Sequence, residues 1–136
     1  MVRREAYSIG AWSRRAVLSL AGLLVSLLVG CGTSLTPEQT AAISKLQSLG
    51  GQVNFNRGGY EVSLRGTQTE DRDLVHLQKI PNLKTLDLQA TRITDAGLAH
   101  LEPIQTLEYV VLTRTAVTSE GVENLKKTLS KTEFMQ

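Results

Sequence analysis

Cysteine is almost absent from this chain: Cys31 is the single one among 136 residues. That excludes an intrachain disulfide framework and a cysteine-based metal cluster. Charge of one sign is also scarce once its distribution is read. The formal net charge is +2, but residues 1–30 hold Arg3, Arg4, Arg14 and Arg15 against Glu5 alone. The remainder carries 11 basic and 12 acidic residues, a balance of −1. A domain so near neutrality has no electrostatic footprint for nucleic acid. Long apolar runs are missing too, because Ala16 to Gly30, at 15 residues, is short for a membrane-spanning helix.

What the chain has is self-similarity. The stretch 83–106, LKTLDLQATRITDAGLAHLEPIQT, returns 24 residues later over 107–130 as LEYVVLTRTAVTSEGVENLKKTLS. A degraded third copy precedes them, with Val62, Leu64, Thr67, Leu74, Leu77 and Ile80 aligned to Leu86, Leu88, Thr91, Leu98, Leu101 and Ile104. A fixed period predicts units that each bury an apolar face only against their neighbours. Leu86 and Leu88 alternate, so both point to one face of a short strand, while Thr85, Asp87 and Gln89 point to the other. Thr94-Asp95 then caps a helix whose Leu98 and Leu101 face inward. One strand and one helix per copy predict an α/β domain with a parallel sheet and outer helices.

The pattern LxxLxLxxTxITDAGLxxL resembles a leucine-rich repeat, specifically the threonine-bearing variant common in bacterial envelope proteins. Leu83, Leu86, Leu88, Thr91, Ile93, Leu98 and Leu101 carry the match, as do Leu107, Val110, Leu112, Thr115, Val117, Val122 and Leu125. The resemblance implies a short right-handed solenoid. Its units are a degenerate repeat over 60–82 and two repeats over 83–106 and 107–130. A cap over 36–59 and a last strand over 131–136 complete the domain 36–136.

That cap follows from the residues themselves. Thr36-Pro37-Glu38-Gln39 supplies an N-cap, a proline at the first helical position and a capping-box glutamine. Ala42, Ile43, Leu46 and Leu49 keep helical spacing until Gly50-Gly51, which predicts an amphipathic helix over 37–49. Val53-Asn54-Phe55 and Tyr60–Leu64 alternate as strands around Asn56-Arg57-Gly58-Gly59, which predicts a hairpin. Gly58-Gly59 is read as a turn, since no strand–loop–helix order and no lysine–serine pair make it a phosphate loop. At the far end, Phe134 lies 24 residues after Val110, so Thr132–Met135 is expected to close the sheet as a short edge strand.

The amino terminus has a charged n-region and an apolar h-region, the layout of an export signal over 1–30. Leu28-Val29-Gly30-Cys31 resembles the bacterial lipobox. The resemblance implies cleavage after Gly30, diacylation of the Cys31 thiol and acylation of the new amino terminus, with 31–35 as a lipidated tether. The alternative is an incidental cysteine behind an ordinary signal peptide. Ser13-Arg14-Arg15 loosely resembles a twin-arginine signal, which leaves the export route open. Gly32, where an aspartate would favour retention at the inner membrane, tilts the expected location towards the outer membrane.

Stacking the copies lines up the outward strand positions in three rows: Glu61, Thr85 and Tyr109; Ser63, Asp87 and Val111; Arg65, Gln89 and Thr113. Leucine-rich repeat proteins usually bind partners on this concave face, so the resemblance implies these nine residues as protein contacts. Tyr109 and Val111 stand out as an aromatic beside an aliphatic, the composition of an interface anchor. The alternative is an ordinary sheet surface, where both residues have good strand propensity. Thr67, Thr91 and Thr115 are expected to satisfy the buried turn after each strand, as a structural ladder; alternatively threonine merely suits the turn.

His76 and His100 share one repeat position and are expected to be solvated rather than metal ligands. Glu70-Asp71-Arg72-Asp73 is expected to act as a helix cap. No nucleophile–base–orienter set is visible, so no enzyme, cofactor or metal is expected. The expected function is a membrane-anchored cell-envelope lipoprotein that binds an envelope protein through its concave face. The alternative is a structural, self-associating lipoprotein with no specific partner.

Overall fold

The structure, a computed structural model, describes residues 34–136. The export signal, the twin-arginine-like stretch and Cys31 lie outside the described residues. The first described helix, α1 (Pro37–Ser48), begins at Thr36, whose side chain accepts from the Gln39 amide while the Gln39 side chain accepts from the Thr36 amide. It ends one residue earlier than expected. Leu49 is the C-cap and Gly50, at φ +88°, turns the chain out. Gly50 N–H donates to the Gln47 carbonyl and Gly51 N–H to that of Leu46, the pair of bonds that closes a Schellman turn.

The chain then returns as β1 (Gln52–Asn56), turns, and pairs antiparallel with β2 (Gly59–Ser63). Asn56 Oδ1 accepts from the Gly58 and Gly59 amides at 2.8 and 3.2 Å, which closes the turn. β3 (Leu83–Asp87), β4 (Tyr109–Val111) and β5 (Glu133–Met135) follow in parallel, giving the order β1-β2-β3-β4-β5. The protein is therefore α/β, with a five-stranded and mostly parallel sheet.

Register carries the sequence period into space. Val62 lies beside Leu86, Leu86 beside Val110, and Val110 beside Phe134, and Val53 extends the row across the hairpin. Val62, Leu86 and Val110 are buried, as are Leu64, Leu88 and Leu112 two residues on. They share one core with Leu74, Leu77, Leu98, Leu101, Val122 and Leu125 from the covering layer. In that layer α1 packs against η1 (Asp71–Lys79), η1 against α2 (Asp95–Leu98), and α2 against α3 (Ser119–Thr128).

Each copy has a helical segment, as expected, but the three segments differ in kind. η1 is a 3-10 helix, and α2 is a single turn that continues through i→i+3 bonds from His100 to Gly97, Leu101 to Leu98 and Ile104 to Leu101. Pro81 follows the C-cap Ile80 and stops η1, while Pro103, lacking an N–H, cannot donate within the second segment. The tighter helix rises about 2.0 Å per residue against roughly 1.5 Å, so fewer residues span each strand-to-strand return. Among the three copies only α3, which no proline follows, is an α-helix of more than one turn. No helix among the described residues is long and apolar enough to cross a membrane.

Candidate functional site

The open face of the sheet, opposite the helices, carries the outward strand residues. Glu61 pairs with Thr85, Thr85 with Tyr109, and Tyr109 with Glu133. In the next row Ser63 pairs with Asp87, Asp87 with Val111, and Val111 with Met135. The third row is held by turn-to-turn bonds, with Gly66 N–H donating to the Gln89 carbonyl and Ala90 N–H to that of Thr113. This brings Arg65, Gln89 and Thr113 side by side. Neighbouring strands lie about 4.8 Å apart, so the residues of a row touch.

Exposure divides the nine. Tyr109 is 47% exposed and Arg65 is exposed, whereas Glu61, Ser63, Thr85, Asp87, Gln89, Val111 and Thr113 are half-buried. Glu61 is engaged by the Asn56 side-chain amide, and Asp87 Oδ1 accepts from the Gln89 amide at 2.9 Å. Val111 is less open than an anchor needs. Met135 beside it is 61% exposed and, with Tyr109, makes the apolar corner of the face. Reasoning from sequence placed Met135 on the last strand but not in this row. The signal was present: adding the 24-residue period to Tyr109 and Val111 reaches Glu133 and Met135.

Behind the face lies a frame of threonines. Thr67, Thr91 and Thr115 each donate a hydroxyl to the carbonyl three residues earlier, Leu64, Leu88 and Leu112, at 2.7, 2.7 and 2.6 Å. Each bond closes the turn of its own copy and does not run between copies. The residue before each threonine, Gly66, Ala90 or Arg114, is left-handed, with φ of +69°, +56° and +58°. The hydroxyl bond thus accompanies a backbone conformation that alanine and arginine adopt only with strain.

A second frame links one copy to the next, and sequence reading missed it. Asp71 accepts from the amide and hydroxyl of Thr94 at 2.8 and 2.6 Å, and Asp95 accepts from those of Thr118 at 2.8 and 2.7 Å. Each carboxylate reaches 23 residues ahead to the N-cap of the following helix. Gly97 and Gly121 make room, since a Cβ at either would collide with the Asp71 or Asp95 carboxylate. The repeated Thr-x-x-Gly is the donating half of this clamp and the aspartate the accepting half. The first copy has Asp71 but Glu70 and Asp73 where the threonine and glycine would stand; the last has Thr118 and Gly121 but Ser119 for the aspartate. The Thr118 hydroxyl, and then its amide, hold the Asp95 carboxyl below its ordinary value. Asp71 therefore caps its neighbour's helix, while within its own the Glu70 amide is taken by Asp73 Oδ2 at 3.0 Å.

His76 and His100 are both half-buried rather than fully solvated. His76 lines an open groove of about 330 Å³ with Glu38, Ala41, Ala42 and Lys79. The His100 carbonyl accepts from the Gln78 side chain at 3.0 Å. A second groove, about 390 Å³, lies between α2 and α3 beside Asp95, Glu102 and Glu120. Among the described residues no three of histidine, cysteine, aspartate and glutamate gather closely enough to hold a metal. No protein-family model matches the chain, and no curated protein matches it.

Proposed function

We propose that this protein is an exported lipoprotein of the bacterial cell envelope, anchored through acyl chains on Cys31. Its domain is a short leucine-rich repeat solenoid that docks another envelope protein on the open sheet face. The period of 24, strand register that matches it, and the threonine-closed turns support the repeat reading. The observation that carries the binding reading is the apolar corner formed by Tyr109 and Met135. A tyrosine ring and a flexible thioether on a solvent-facing sheet suit an interface anchor. The proposal includes no catalytic step, cofactor or metal. Five short strands still offer a small platform, so a complex made by this face alone is weak.

The test is cross-linking in cells followed by capture, with the wild type beside Tyr109→Ser/Met135→Ser. Both substituted side chains are exposed, so the variant is expected to fold. A discrete partner captured by the wild type and lost in the variant supports recognition. A second reading, self-association into a structural component, is favoured by the two sheet edges, β1 and β5. It predicts self-linked species that persist in the variant.

A further inference from the structure

We propose that the tip of the β1–β2 hairpin, Phe55 with Arg57, is a membrane-contact site that seats the domain on the bilayer holding its anchor. The proposal rests on the reading of Cys31 as the lipidated residue. Phe55 is 68% exposed, the most open large apolar side chain among the described residues. It belongs to no row of the open face, because it pairs with Tyr60 on the side where Val53 pairs with Val62. The Tyr60 ring is 4.8 Å away and tilted by 50°. Asn54, Asn56, Arg57 and Gly58 around it are all exposed, so core packing does not account for a phenylalanine here.

Topology places this tip beside the start of α1. The chain runs up α1, reverses at Gly50-Gly51 and comes back along β1. Contacts from the end of η1 and from the turn after it reach both places. Lys79 Nζ lies 3.3 Å from Glu38 Oε2 in the first turn of α1. Three residues on, Asn82 Nδ2 donates to the Gly58 carbonyl at 3.0 Å, and its own carbonyl accepts from the Tyr60 amide. Cys31 stands five residues before Thr36. A five-residue tether reaches at most roughly 18 Å. A bilayer that holds the acyl chains is therefore close to this end of the domain.

The two side chains suit that neighbour. An aromatic ring settles at the boundary of headgroups and acyl chains, and a guanidinium pairs with lipid phosphates. Arg57 joins no ion pair among the described residues. One ring and one cation would not hold a free protein on a membrane. On a tethered domain the contact is intramolecular, at an effective concentration on the order of mM, so a weak contact suffices to set orientation. The open face, on other side chains, stays available to a protein.

The experiment uses the full chain, expressed and processed, in vesicles containing anionic lipid and lipid brominated near the headgroup. Phe55→Trp reports the tip and Tyr109→Trp the open face. The one natural tryptophan, Trp12, leaves with the leader. The mass of the purified chain reports acylation of Cys31 separately. The expected result is acylated protein with loss of indole emission at 55, no loss at 109, and a smaller loss at 55 when Arg57→Ser is added. Acylated protein with equal quenching at both positions, or with a shielded indole at 55 that bromine does not quench, overturns the membrane site and leaves the lipoprotein reading standing. An unacylated Cys31 overturns both.

Discussion

The two ends of the sheet are finished by different means. At the first, α1 covers the core with Ala42 and a fully buried Leu46, and β1 adds five paired residues. At the other, β5 supplies three residues, its inward Phe134 is only half-buried, and its Met135 is 61% exposed. The difference teaches where cohesion sits. Regions with little buried apolar contact open first, and surfaces that bind are drawn from such regions. The apolar corner of the open face belongs to the looser end.

The largest effect expected from breaking this contrast is at Leu46. Leu46→Ala should lose about 2–5 kcal/mol by leaving a cavity in a site with no solvent exposure. Phe134→Ala should lose less, under about 2 kcal/mol, because its ring is already partly in water. Urea unfolding of both variants checks the order, and equal losses would refute the asymmetry.

Next comes the clamp that joins the copies between these ends. Gly97→Ala places a methyl against the Asp71 carboxylate and should cost about 1–3 kcal/mol. In an Asp71→Ala background the same change should cost much less, so a double-mutant cycle must show coupling. Additive losses would mean that the two residues do not meet.

A smaller pair tests the left-handed column. Ala90→Gly should stabilise by about 0.5–1 kcal/mol, since glycine accepts a positive φ without strain. Gly66→Ala should destabilise by about 1 kcal/mol for the same reason, since a Cβ there meets no atom within 4 Å. Thermal midpoints moving in the same direction would contradict this account.

The smallest effect concerns pH. The Asp95 carboxyl is held below its ordinary 3.8 by Thr118, so its contribution is present above that value and is lost as pH falls through the lower folded one. Thr118→Ala should make the acid arm of the stability curve shallower. An unchanged arm would show that the hydroxyl does not hold the charge. Asp95 is exposed, which keeps the effect slight.

Much of this was legible in one dimension. Thr36, Gln39 and Gly50-Gly51 bound α1 to within a residue, because capping is decided by side chains three or four positions away. Asn56 and the glycines after it specify the hairpin for the same reason. Leu86 and Leu88 declare their face because strand alternation is local. The 3-10 form of η1 was not legible, since its leucine spacing also fits an α-helix and the choice depends on the distance the segment must cover between strands. The weight of Met135 on the open face was missed although the period predicts its position.

By itself the sequence determined the period of 24, the alternation that separates core from open face, and the caps and turns that divide the chain into strands and helices. These are short-range matters of side-chain chemistry and backbone sterics. Only the tertiary structure decided that Asp71 and Asp95 grip the copy ahead, that glycine is needed opposite them, and that the hairpin tip returns to the start of α1. Those contacts join residues 23 to 41 positions apart, and they exist only once the chain has folded back and the sheet register brings each unit against the next.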